Sequence, residues 1–391
     1  MSFLLNEADV ELICSEVERF ASGSIAPLVE RPELVLSQKG LNDLTEIALE
    51  TGLLSTTEPS GGGLWEQGDE PALLSIRMLS VLAKTNAGVA LRFHQFALAR
   101  HLLEALYLPT DQSGSTALSL VGFYGLGRVA LPRYLSGRGV EAEDINFLRS
   151  WLAGENFIKN SAKNPKQSSA PFVFTADSEW KTLLHPTINH KGELVFSLYS
   201  RESLTVDKVS NSHGFDELSA FCCRGFVGVE PLSVSSLSSE LSKKVYTKAL
   251  QINALAYMTI ALGSVRHSYS IASDYAAIRQ QGGNVINRHP AVQLLLGELR
   301  RTIDTASLIL EQLTARPLTF KTLPTLFSVR ATQHKKMCDA ANAAMQVCGG
   351  IGYMRDTGIE KIVRDCNTLR VTDGTPMELT LFVAEWERLH A

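Results

Sequence analysis

Residue types that can do chemistry concentrate in one stretch near the C-terminus, Gln346 to Glu378, with Arg279 as an outlier upstream. Gly349 and Gly350 are adjacent and lack a Cβ, so their backbone can be approached closely and their amides can bind anionic oxygens. Taken alone, such a pair is also an ordinary helix C-cap. Arg279 carries a planar fork that suits a phosphate and equally suits a surface ion pair. Gln346 offers both a donor and an acceptor. Thr372-Asp373-Gly374-Thr375 reads as a tight turn in which Asp is a common turn former, and its carboxylate is also a group able to accept a proton. Other reactive types are dispersed. The six cysteines (Cys14, Cys222, Cys223, Cys338, Cys348 and Cys366) contain no CxxC, and His190, His213 and His289 match no metal spacing. No metal site is expected.

The elements that must position these residues follow from hydrophobic pattern. Asn6 can cap a first helix with Glu7 and Asp9 in its opening turn, and Val10, Ile13, Cys14 and Val17 form an apolar stripe that Pro27 should end. Residues 41–53 form a second amphipathic candidate, and 87–106 a mostly buried helix. Between about 118 and 232 the texture changes to short apolar runs with turn signals. Residues 129–131, 172–175, 194–199 and 220–229 have strand character, 189–192 sits where a hairpin turn is expected, 143–160 holds some helix and 159–169 reads as a loop. A Ser-rich connector at 231–240 leads to long helices over 248–279, 291–313 and 325–347. Their polar faces are few, which suggests a bundle buried in an oligomer. The expected fold class is α+β, with an N-terminal helical domain over 1–117, a β-rich middle domain over 118–232 and a C-terminal four-helix bundle over 233–391.

The C-terminal motifs strongly resemble the acyl-CoA dehydrogenase family. Gln346, Gly349, Gly350, Gly352, Tyr353, Glu360, Arg364, Asp365, Gly374 and Thr375 match its pattern in order and without a gap. Upstream, Gly263, Tyr275, Ala276, Arg279, Gly283, Ile286, Val292 and Gln293 match the family's long helix and the turn after it. The resemblance covers 260–391 firmly, extends to 1–115 through domain order and length, and is poor over 118–232.

The resemblance implies an FAD enzyme in which Arg279, Gln346, Gly349, Gly350 and Thr375 bind cofactor, the glycine pair serving the FAD of the neighbouring subunit. Asp373 stands where most members carry the Glu that removes the α-proton of an acyl thioester as hydride moves to the flavin. Asp is one methylene shorter, and a displacement near 1 Å can cost on the order of a hundredfold in rate. A nitroalkane-oxidase branch of the family uses Asp here. Some branches keep the base on the long helix, near Asn253–Ala254, where this chain has no carboxylate and also lacks the family's common Arg. The implied activity is α,β-dehydrogenation of an acyl thioester, coenzyme A- or carrier-bound, with an acceptor such as an electron-transfer flavoprotein and a homo- or hetero-oligomer of two or four subunits. Two alternatives come with it: nitroalkane oxidation, resting on Asp373, and a non-catalytic subunit that completes a partner's FAD site.

Several departures favour divergence. The middle region lacks the aromatic-x-[VIM]-T-E-x-x-x-G-S segment, and Gly282 and Pro290 replace a usual Phe and Gln. Thr175 and Trp180 can lie near a flavin, though Trp180 also reads as a buried structural residue. The G-x-x-G-x-G run at 122–127 is not a dinucleotide fingerprint and has no βαβ context. The 391 residues suffice for two or three domains, and 45% hydrophobic with 20% charged residues argues against global disorder. A net charge of −4 argues against a dominant nucleic-acid surface. Acidic residues interrupt the N-terminal apolar stretch and no run spans a bilayer, so the expectation is a cytoplasmic protein without a membrane span.

Overall fold

A computed structural model describes residues 7–55, 62–66, 72–110, 113–120, 127–153, 171–209, 212–224, 226, 228–315 and 317–391. The expected Asn6 cap, the run at 122–126 and the loop at 159–169 lie outside them. The N-terminal part is helical. Helix α1 (Glu7–Phe20) continues through one π turn and one 3₁₀ turn to Leu28, so Pro27 sits inside the last helical turn rather than before it. Helix α2 (Gln38–Glu50) begins where the Ser37 hydroxyl accepts from the Gly40 amide. Helices α3 (Leu73–Thr85) and α4 (Ala87–Ala105) meet at Asn86, whose side chain accepts from the Val89 amide and caps α4. Arg92, His94 and Arg100 on α4 are buried with its apolar residues.

The middle region carries two small sheets. Strands β1 (Thr116–Leu118), β3 (Thr182–Ile188), β4 (Leu194–Ser200) and β7 (Ser233–Val234) form one sheet in the order β1-β3-β4-β7, with β1 parallel to β3 and the rest antiparallel. Strands β2 (Pro171–Ala176), β5 (Val206–Lys208) and β6 (Ser219–Arg224) form the other, in the order β2-β6-β5. The expected hairpin turn joins β3 to β4: Asn189 and Glu193 close it, and Gly192 takes φ +81°. Residues 129–131 are not a strand. They lie in α5 (Gly127–Ser136), where Ala130, Leu131, Tyr134 and Leu135 are buried at helical spacing and Pro132 is tolerated inside the helix. A three-residue apolar run cannot tell the two periods apart. Helix α6 (Ala142–Leu152) fills part of the helical stretch expected after residue 143. Strand β3 was disguised by Pro186, which sits beyond the end of β1, so its missing N–H costs no ladder bond on that side.

The C-terminal part is a helical bundle. Helix α7 (Ser239–Ile278) is 40 residues long and is joined through a two-strand turn, β8 (Gln280–Gln281) and β9 (Asn284–Val285), to α8 (Pro290–Thr314). Helix α9 (Leu323–Cys348) follows, then α10 (Ile359–Val371) against α7 and α9, and α11 (Pro376–His390) against α9 and α5. Every residue from Ala249 to Val265 is buried, because α3, α4, α8, α9 and α10 surround this part of α7. Its weak amphipathicity follows from that. The architecture is α+β in three parts: N-terminal helices, middle sheets and a C-terminal helical bundle. Among the described residues no helix is long and apolar enough to cross a membrane, and no cluster of His, Cys, Asp and Glu suits a metal ion.

Two contacts fix how these parts meet. The loop 212–218 is tied to α10 by Arg364, which forms a two-pronged ion pair with Asp216 at 2.7 and 2.8 Å, and by Asp365, which accepts from the Phe215 amide at 2.6 Å. At Gly263 α3 and α7 pack tightly: a Cβ there would lie 2.7 Å from both the Ala83 Cβ and the Ser80 carbonyl oxygen. Gly263→Ala is therefore expected to lower stability by about 1–3 kcal/mol through overpacking, read as a fall in the denaturation midpoint. An unchanged midpoint would mean that α3 and α7 can separate at no cost.

Candidate active site

Asp373 occupies the turn between α10 and α11 with φ +51°, followed by Gly374 at +114°. Asp is among the few residues with a side chain that tolerate this left-handed region. The turn is held from below by Arg330 on α9, which is only 2% exposed. The Arg330 guanidinium donates to the carbonyls of Leu369 and Asp373, each at 3.4 Å, and to that of Thr372. Its cation thus caps the negative end of α10.

The carboxylate is held from α7. Asn253 Nδ2 and the Tyr257 hydroxyl each donate to Asp373 Oδ2 at 2.9 Å. Both donors lie on one face of α7 because they are four residues apart. Oδ1 and the Asp373 amide make no hydrogen bond to another described residue. Burial pushes the Asp373 carboxyl above the ordinary aspartate value, against the lowering effects of the Arg330 charge and of the two donated hydrogen bonds. Burial also raises the Tyr257 phenol, as does the neighbouring carboxylate, so Tyr257 stays a donor.

Asp373, Asn253 and Tyr257 face a cavity of about 450 Å³ between the middle sheets and the bundle. Leu91, Leu118, Val173 and Val371 supply apolar wall, while Gln95, Thr175, Ser212, His213, Asn367 and Thr368 supply polar edge. Gln95 Nε2 donates to the Thr175 carbonyl at 2.8 Å and pins β2 against α4. The tie between α10 and the 212–218 loop places Ser212 and His213 on the cavity rim.

The other predicted residues lie elsewhere. Arg279 ends α7 and is exposed, Gln346 is exposed on the last turn of α9, and Gly349 follows at φ +61°. None of these, nor Gly350, lines the cavity. A Cβ at Gly349 or Gly350 would meet no atom within 4 Å, so their backbone is openly approachable, whereas one at Gly352 would strike the Met345 carbonyl at 2.6 Å. Thr375 caps α11: its hydroxyl accepts from the Glu378 amide at 3.3 Å while the Glu378 carboxylate accepts from the Thr375 amide at 2.9 Å. Trp180 is buried among Phe174, Phe221 and Arg201. Sequence reasoning missed Tyr257 and Arg330. Their only signal is that they are polar residues inside helical stretches otherwise read as core.

Residues 244–386 match the family model described as acyl-CoA dehydrogenase, C-terminal domain. The 3-sulfinopropanoyl-CoA desulfinase of Paraburkholderia xenovorans is 28% identical over 126 residues, which is 32% of this chain and 32% of that protein. The matched part thus spans about a third of the length of such curated relatives. Among solved structures, nitroalkane oxidase in complex with spermine superposes with a TM-score of 0.73 at 14% identity, covering 100% of this chain and 97% of that one. Butyryl-CoA dehydrogenase from Megasphaera elsdenii gives 0.68 at 14% identity, covering 98% and 99%. Structures of this fold include FAD complexes. Residues 244–386 thus match that family's C-terminal domain, and the chain as a whole shares the fold of these solved structures.

Arg330→Met tests the electrostatics of this turn. It leaves three carbonyls short of a donor and removes the nearest cation from Asp373. The expected cost is about 3–5 kcal/mol of stability, as for breaking a buried charge contact, together with a further rise in the Asp373 protonation midpoint. Denaturant titration and carboxyl infrared spectroscopy read the two effects. A variant as stable as the parent would show that Arg330 does not hold the turn.

Proposed function

We propose that this protein is a flavoenzyme that removes the α-proton of an acyl thioester with Asp373 during α,β-dehydrogenation. The observation that carries the reading is a carboxylate held by two donated hydrogen bonds, with its pKa raised, in the wall of a cavity. A carboxylate raised above its ordinary value is a stronger base. Asn253 and Tyr257 occupy Oδ2, so Oδ1 is the atom left to take the proton. The unengaged Asp373 amide is suited to hold the thioester carbonyl, where negative charge develops as the α-proton leaves.

FAD, when bound, supplies the acceptor for the β-hydride. The residues present fit it. The cavity has apolar faces for a flat ring system and polar edges at Thr175 and Ser212 for its heteroatoms. Gly349 and Gly350 lie open for a pyrophosphate, and Arg279 and Gln346 are exposed for its charge and its nucleoside end. These four face outward, away from the cavity, which supports assignment to the FAD of a second subunit. Ile278 at the end of α7 and Leu294 and Leu308 on α8 are 77%, 74% and 67% exposed. Exposed apolar side chains such as these are suited to contact with a second copy or a related chain. An electron-transfer flavoprotein is the natural acceptor class for the reduced cofactor.

Nitroalkane oxidation is the second reading, favoured by Asp rather than Glu at position 373. Anaerobic bleaching of the FAD-loaded protein by a panel of acyl-CoA thioesters and nitroalkanes separates the two. Asp373→Asn should fold, assemble and keep FAD yet reduce flavin at least about a hundredfold more slowly. Asp373→Glu should raise turnover if the turn keeps the usual reach, and lower it if Arg330 has drawn the backbone toward the substrate. Thioester bleaching that survives unchanged in the Asn variant would remove Asp373 from the mechanism. Protein that fails to take up FAD alone but does so with a related subunit would support the subunit reading instead.

A further inference from the structure

Behind Asn253 lies a line of buried polar groups with no part in the chemistry above. Trp65 Nε1 is 2.9 Å from His94 Nδ1, and His94 Nε2 is 2.8 Å from Asn253 Oδ1. Trp65 and His94 are buried at 5% and 0% exposure, and the imidazole packs edge-on against both the indole and the Tyr257 ring. Trp65 is itself fixed: its backbone sits at φ +58° and its amide donates to the Ser75 hydroxyl at 2.8 Å.

The direction of each bond can be derived. An indole N–H only donates, so His94 Nδ1 must be the bare, accepting nitrogen. A neutral imidazole then carries its proton on Nε2 and donates to Asn253. The Asn253 amide must therefore turn its oxygen to His94 and its NH₂ to Asp373, where an ionised carboxylate can only accept. Full burial holds His94 neutral, with its pKa pushed down to about 4.

We infer that Trp65 and His94 are positioning residues that lock the amide orientation of Asn253, so that it always presents a donor to the Asp373 carboxylate. Without them the amide is free to turn over. Its carbonyl would then face the carboxylate, which disfavours the ionised form and releases the side chain from its fixed rotamer. The inference rests on the reading of Asp373 as the proton acceptor, but its test does not depend on turnover. The charged or titratable groups that also face the carboxylate are Tyr257 and Tyr246 from α7 and Arg330 from α9, and none of them belongs to this line.

The test uses the full-length protein with ¹⁵N-histidine and ¹³C-carboxyl aspartate labels, with Asp373→Asn as the assignment control. In the parent, the His94 ¹⁵N signals should report the tautomer protonated on Nε2. His94→Phe should raise the Asp373 protonation midpoint by about one to two pH units, the worth of one hydrogen bond to a charged group. His94→Gln can both accept from Trp65 and donate to Asn253, and should restore the midpoint to within about half a unit. Trp65→Phe should leave His94 free to exchange tautomers. A His94 protonated on Nδ1 would overturn the inference in the parent protein alone, even if His94→Phe failed to fold. A folded His94→Phe with an unmoved midpoint would overturn it as well. A moved midpoint with unaltered flavin reduction would uphold the line of hydrogen bonds and overturn the role of Asp373 as base.

Discussion

Arg330 is a buried cation directed at backbone carbonyls, and the geometry of the site depends on it. Its guanidinium gathers the end of α10 and the turn beyond it onto α9. That pull sets where the Asp373 backbone stands, and a carboxylate one methylene short of the family's usual base has little reach with which to correct an error. The cation also faces the carboxylate, opposing the rise that burial imposes. One side chain thus bears on both the position and the charge of the carboxylate proposed as the base. No Arg stands near Asn253 on α7, and the cation beside Asp373 comes from α9.

Around that centre the elements divide the work. Helix α7 is covered along most of its length, and its Asn253 and Tyr257 reach the carboxylate from within the packed bundle. Helix α10 reaches into the middle region through Arg364 and Asp365, so the 212–218 loop at the cavity and the turn bearing Asp373 are tied to the same helix. Rigid placement of this kind is what a proton transfer over hydrogen-bond distance requires.

How much of this was legible in the sequence differs by element. The helical bundle was, because long apolar-rich runs without Pro and with at most one Gly each read as helix. The glycine pair and the Asp-Gly-Thr turn were, because their order over thirty residues is specific. The middle sheets were legible only in part. Residues 129–131 carry too few positions to fix a period, and Pro186 hid β3. The anchoring residues escaped for a deeper reason: Trp65, His94, Asn253 and Arg330 come from four separate stretches of chain and meet only in the folded core. Nothing local in the sequence marks a polar residue on a buried helix as aimed at a partner 120 or more positions away, as Asn253 and Asp373 are.

The account rests on Asp373 taking a proton from carbon, and isotope exchange tests that step apart from hydride transfer. The FAD-loaded protein is incubated in deuterated water with an acyl-CoA thioester that has no β-hydrogen, so that α-proton removal is the only step open. Deuterium at the α-carbon is followed by NMR. The account predicts steady exchange catalysed by the parent and none above background with Asp373→Asn. Equal exchange by both proteins would contradict it.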